Sequence, residues 1–193
     1  MSDITAPSQE MIDQFVGNAH GNLAKVKELL DKYPSIISAN ATWTETAIQA
    51  AAQTGQVEIV NYLIDHGAEY DICTAAMLGN LDCLEDFLKE DAGLVNAWGA
   101  HGIPLLYFPV IHARLAVAEY LLQHGANADA ASPAGITPLH GAVMFNQPKM
   151  AEWLLEHGAN PNSKYDGKTP MGLAVEKNQP ELVEVLRAHG GKE

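Results

Sequence analysis

Apolar residues along this chain fall into paired short stripes separated by tight turns. In one copy Leu139, Ala142 and Val143 form a short stripe. Met150, Ala151, Leu154 and Leu155 form a longer one, both at helical spacing. Thr137 before Pro138 marks the start of the first helix. The hydroxyl can cap free amides, and a missing N–H costs nothing at the first helical position. Asn146 ends that helix, Pro148 opens the second, and Gly158 stops it in a left-handed cap. The pattern recurs about every 33 residues. Gly135-Ile136-Thr137-Pro138-Leu139-His140 returns as Gly167-Lys168-Thr169-Pro170-Met171-Gly172. His-Gly-Ala stops stand at His66, His124 and His157, with a His-Gly-Gly variant at His189. Such self-similarity predicts a stacked array in which each unit buries its apolar face on its neighbours.

The turn inside each pair serves as a ruler. It falls at Gly21, Gly55, Gly79, Ala113, Asn146 and Asn178, spaced 34, 24, 34, 33 and 32 residues apart. All but Ala113 are types that tolerate positive φ. The spacing predicts six units at approximately 11–42, 43–70, 71–96, 97–129, 130–162 and 163–193, forming one domain behind a tail of residues 1–10. Two units break the rule. Gly67 lies only eight steps from Ala75, against seventeen from Gly125 to Ala142, so a connecting loop is missing between units two and three. Unit four has Pro104-Leu105-Leu106-Tyr107 where Thr-Pro-Leu-His would stand, and Pro109 inside its first helix. An interior proline shortens or kinks a helix. Positive φ at Ala113 would cost about 1 kcal/mol or more. Tyr107 and Phe108 read as core there, with Pro109 shaping a local pocket.

These motifs resemble ankyrin repeats, over roughly residues 11 to 190. The likeness rests on the two Thr-Pro segments, on Gln56-Val57-Glu58-Ile59-Val60 and on the His-Gly-Ala stops. Asp71 to Gly79, followed by Leu94-Val95-Asn96-Ala97, is similar to stand-alone bacterial members of that family. The resemblance implies an all-α solenoid of helix pairs with short hairpin fingers and a concave protein-binding face.

Charge narrows the partners. Twenty-four acids against 11 bases give a formal net charge of -13, which repels a nucleic-acid backbone. No Lys or Arg occurs between Lys32 and Lys89, while Glu45, Glu58, Asp65, Glu69, Asp71, Asp82, Glu85 and Asp86 do. A solvated acidic surface explains this, and a partner with a basic face would fit it. Met1 to Glu10 lacks a signal-peptide pattern, and no apolar run is long enough for a membrane span. Cys73 and Cys83 have no metal-like spacing and suit a reduced, cytoplasmic setting. Oligomeric state is left open.

Eight histidines raise the question of a metal. The four at the stops occupy equivalent places in successive layers, about 8–10 Å apart, so they cannot share one ion. At a helix C-terminus an imidazole instead serves the last carbonyls. His140 belongs to the repeat's own Thr-Pro-Leu-His element and is expected to hold a finger through a backbone bond. No nucleophile elbow, zinc-protease helix or phosphate loop is present. The expectation is a non-enzymatic binding module without metal or cofactor, taking a protein or peptide through an apolar centre with an acidic surround. Its candidate contacts are the residues before the turns, Met77, Leu78, Ile111, His112, Met144 and Phe145. The loop aromatics Trp43, Trp98 and Tyr165, with His101, complete the set, since indoles and phenols make good anchors. Each of the turn residues and loop aromatics could equally pack inward. Two alternatives remain. One is a small-molecule or catalytic pocket between Pro104 and Ala113, lined by His101, Tyr107 and His112. The other is an immunity-like binder of a basic protein.

Overall fold

The structure, a computed structural model, describes residues 6–193. Its twelve α-helices form six consecutive pairs: α1 (Gln9–Asn18) with α2 (Leu23–Lys32), α3 (Ala47–Gln53) with α4 (Val57–Asp65), α5 (Ile72–Leu78) with α6 (Leu81–Glu90), α7 (Tyr107–Ile111) with α8 (Leu115–Gln123), α9 (Pro138–Met144) with α10 (Pro148–Glu156), and α11 (Pro170–Glu176) with α12 (Pro180–Ala188). This is the expected all-α repeat solenoid. The first helix begins at Gln9, capped by Ser8, two residues inside the expected tail. Residues 1–5 of that tail lie outside the described residues.

Local chemistry sets the helix starts. Thr46, Thr137 and Thr169 cap α3, α9 and α11, and Asp71 caps α5. Gln49 and His140 complete reciprocal capping boxes with Thr46 and Thr137. Helix α7 has no side-chain cap and lasts five residues around Pro109, as its sequence predicts. Ala50, Ala51, Ala75, Ala76, Ala142 and Ala174 are fully buried, so the first helices of successive units approach closely. One apolar core runs through all six units. The ruler positions adopt φ of 73° at Gly55, 81° at Gly79, 50° at Ala113, 52° at Asn146 and 54° at Asn178, whereas Gly21 is nearly extended.

Polar side chains stitch the layers together. The amides of Gln147 and Gln179, each just after a turn, donate to Ile111 O and Val143 O of the preceding unit, both at 2.9 Å. On the other edge Asn127 N–H donates to Asn96 Oδ1, Asn160 N–H to Asp129 Oδ1 and Lys192 N–H to Asn162 Oδ1. Asn96, Asp129 and Asn162 stand one period apart, so each of the last three junctions receives one rung.

Single bridges close the hairpin fingers of units two, four and six, at Asn40 with Thr46, Trp98 with Pro104, and Tyr165 with Lys168. In unit five Ser132 N–H donates to Ile136 O and Gly135 N–H to Ser132 O. Fingers are numbered here by unit. Unit three has none, because the chain passes from Gly67 straight to the cap Asp71.

The stop histidines are structural. His66, His124, His157 and His189 place Nδ1 at 2.7, 2.8, 2.7 and 2.9 Å from the carbonyl four residues earlier. Three of the rings also stack on Tyr62, Tyr120 and Trp153, with centroids 4.0 to 4.4 Å apart.

Candidate functional site

The missing third finger reshapes the finger-bearing surface. Finger four turns across unit three and packs its 3-10 turn, Ala100–Gly102, against α3 of unit two. Gly99 permits the approach: a Cβ there would lie 2.5 Å from Phe108 Cζ and 3.4 Å from Cys73 Sγ. His101, at the bend, is held left-handed at φ 56°. At the turn edge His112 reaches equally far, with Nε2 at 3.0 Å from Gly55 O of unit two.

Under finger four lies Glu45, only 1% exposed. Its Oε2 accepts from Trp43 Nε1 at 2.8 Å and its Oε1 from Gln53 Nε2 at 2.5 Å. His101 Nε2 stands 3.6 Å and His20 Nε2 3.8 Å from Oε2. His20 Nδ1 is 3.1 Å from Gly17 O, and its Nε2 lies 3.1 Å from the Gln53 amide nitrogen. The His20 ring thus has a polar neighbour at each nitrogen. The carboxylate is therefore held by two hydrogen bonds from its own unit, with His20 of unit one and His101 of unit four just beyond hydrogen-bond distance, in place of the full counter-charge a buried ion usually demands. Sequence reasoning placed Glu45 only in an acidic run. Its signal was positional: Ile103 and Ile136, both buried, stand at the same place before the helix start in units four and five.

The predicted contact residues separate into three groups. Met77 and Ile111 are 0% and 1% exposed and belong to the core. They leave the binding set, because both side chains are packed within the apolar core that joins neighbouring layers. Leu78, His112, Met144, Phe145 and Tyr165 are half-buried. Phe145 and Met144 pack on Tyr107, by a T-shaped ring contact at 6.2 Å and an O–H···S contact at 3.8 Å, and Tyr165 packs on His140 at 5.9 Å. Trp43, Trp98 and His101 are exposed, the indoles at 40% and 55%. The apolar centre expected before the turns is thus reduced to half-buried edges, and the exposed large apolar side chains among the described residues are the two indoles on fingers two and four, with Leu115 on α8 and Val175 on α11.

His140 is buried and sits in its capping box, with Thr137 N–H donating to Nδ1 at 3.2 Å. Nε2 then carries the proton and faces the carbonyls of Lys168 and Ser163 in the next finger, without a well-aligned bond to either. Burial pushes its pKa below the ordinary 6.5, outweighing those carbonyls and Asp129.

The pocket expected at unit four is not deep. Tyr107 is buried, His101 points to Glu45 and His112 to Gly55. The cavity beside Trp98, Pro104 and Leu106 has about 20 Å³, room for about one water. Burial pushes the Tyr107 phenol well above its ordinary pKa, as a core hydroxyl should be. Among the described residues no group of three His, Cys, Asp or Glu has metal-binding geometry. Likewise no described helix is long and apolar enough to cross a membrane.

Comparison with known proteins agrees with this architecture. The family model for ankyrin repeats in three copies matches residues 72–165 and 131–193, and the single-repeat model matches residues 45–75. The chain is 28% identical over 113 residues to alpha-latrocrustotoxin-Lt1a of Latrodectus tredecimguttatus, covering 54% of this chain and 8% of that protein. It is 32% identical over 78 and 77 residues to the NAD-capped RNA hydrolase NUDT12 of Macaca fascicularis and of Pongo abelii. Those matches cover 40% and 39% of this chain and 17% of each relative. The chain therefore spans less than a fifth of any of these relatives. Its helix pairs, its fingers and these matches together show that the chain belongs to the ankyrin-repeat family.

Proposed function

We propose that this protein is a non-enzymatic interaction module that holds a protein or peptide on its finger-bearing face, anchored by Trp43 and Trp98. One observation carries the reading: two large indoles stand exposed on neighbouring fingers, and one is pinned by a buried carboxylate. An indole fixed in advance loses little entropy on binding, which is why rigid aromatics concentrate binding energy. Leu78, Met144 and Phe145 extend the contact along the helix ends. The net charge of -13 favours a partner with a basic face and disfavours nucleic acid.

The test is affinity capture from the source cells with the wild-type chain and with Trp43→Ala/Trp98→Ala. The double variant should lose the captured partner by about tenfold or more. Helical content should be retained, while melting should fall somewhat because Trp43→Ala takes a hydrogen bond from buried Glu45, so capture is compared at a temperature where both chains are folded. Undiminished capture by the double variant would sink this assignment. Phe145 is a poorer target for such a test, because its ring supports Tyr107.

A further inference from the structure

The absent third finger leaves a second surface feature that contains neither indole. A cavity of about 340 Å³ opens between the loop before finger two and the short link from α4 to α5. Its walls are Ile37, Ile48 and Tyr70, and its rim carries Ser38, Thr46, Gln49, Glu69 and Asp71. Superposing the hairpin bonds, Ala41 N–H to Glu45 O on Gly99 N–H to Ile103 O, places Ser38 where unit four has Asn96. Asn96, Asp129 and Asn162 each hold the loop of the following unit. No such rung is seen at Ser38, and the seam that is stitched at the later junctions is open here.

We propose that this notch takes a turn-forming segment of a partner protein, one carrying an apolar side chain next to a Lys or Arg. The cavity opens beside the short link where the chain omits a third finger, so a short turn can enter it. The lining mixes the apolar Ile37, Ile48 and Tyr70 with polar and acidic side chains, and 340 Å³ lies at the lower end of the range for a binding cavity. The rim acids Glu69 and Asp71 lie within a stretch without Lys or Arg from residue 33 to residue 88, so charge complementarity selects a cation. Gln49 Nε2 approaches Asp71 Oδ2 only at 3.5 Å, which leaves that oxygen free to take a stronger donor. The site does not depend on the indole face and adds a second contact of defined chemistry.

The probe is a cyclic hairpin peptide with Leu-Arg at its turn, compared with its Leu-Glu counterpart. It would be titrated into the full chain while backbone amide shifts are followed by NMR. The Leu-Arg peptide should move the amides of Ile37, Ser38, Ile48, Glu69 and Tyr70, and the Leu-Glu peptide should not. Glu69→Lys with Asp71→Asn should weaken binding about threefold to tenfold. Asparagine keeps the cap of α5, so the variant remains folded. Ser38→Phe, which fills the notch, should abolish the shifts. The proposal is overturned if both peptides act alike, if the shifts gather around Trp43 and Trp98 with the notch silent, or if the charge variant binds as before. Equivalent shifts on concentrating the protein alone would also overturn it, by making a second copy the occupant. Loss of cellular capture by the indole variant, with peptide binding at the notch intact, would separate this site from the finger-face assignment.

Discussion

The seam between units five and six and the junction joining units two, three and four hold neighbouring layers together by different means. In the first, Asn162 accepts from Lys192 N–H, Gln179 donates back to Val143 O, and finger six follows finger five in step. In the second no rung joins units two and three, finger four crosses a whole unit, and His101 stands 3.6 Å from a buried carboxylate. Regular stitching uses short, neutral or singly charged hydrogen bonds repeated by the period. The crossing uses a left-handed histidine, a glycine pressed against Phe108 and a buried charge. Each of those costs stability and survives only where surrounding contacts enforce it. The regular end specifies the scaffold; the irregular junction concentrates the exposed indoles and the open notch.

Five variants, in three comparisons, break or sharpen that contrast. The largest effect is expected from glycine. At the regular end Gly135 has φ 90°, and an added Cβ would meet Lys164 O at 2.3 Å. Gly135→Ala should cost about 2–4 kcal/mol, read as a fall in the denaturant midpoint. Gly99→Ala at the junction has permissible φ but a ring in the way, and should cost about 1–3 kcal/mol. It should in addition change Trp98 emission and release finger four. If Gly99→Ala is as stable as wild type, the crossing finger does not pack as described.

Next in size is Ala113→Gly. Alanine at φ 50° pays a steric cost that glycine avoids, so this variant should gain roughly 1 kcal/mol. Asn146→Gly at φ 52° in the regular end should gain less, because asparagine tolerates that region. Equal gains at both positions would remove the claim that unit four is the strained one.

The smallest effect concerns pH. The folded-state pKa of His140 is lowered, so the unfolded chain takes up the proton first. The stability from keeping His140 neutral is full above the ordinary value of 6.5 and falls as pH drops through it. His140→Gln copies the capping box that Thr46 and Gln49 already make in unit two. Its unfolding free energy should therefore fall less than that of wild type on acidification below that value. Parallel pH profiles would show that His140 is not a source of acid sensitivity.

Much of this arrangement was legible beforehand, and the reason is local. Thr137, Pro138, Asn146 and Gly158 act within a few residues of themselves, so their caps and turns follow from residue type alone. The stop histidines likewise need only their own helix end. The contact residues were less legible. Met77 and Leu78 are adjacent in sequence, yet one is core and the other half-buried, because the next unit decides which side is covered. Glu45 was invisible as a hub, since its partners Gln53, His20 and His101 come from three different units.

By itself, then, the sequence determined the period, the six helix pairs, the missing finger and the strain at Ala113. All of these arise from backbone preferences and apolar spacing inside one repeat. Only the tertiary structure decided that finger four would cross the gap, that Glu45 would be buried beneath it, and that Trp43 and Trp98 would stay exposed while Met77 and Ile111 did not. Those outcomes depend on contacts between residues many positions apart, where the shape of one unit sets what the next can cover.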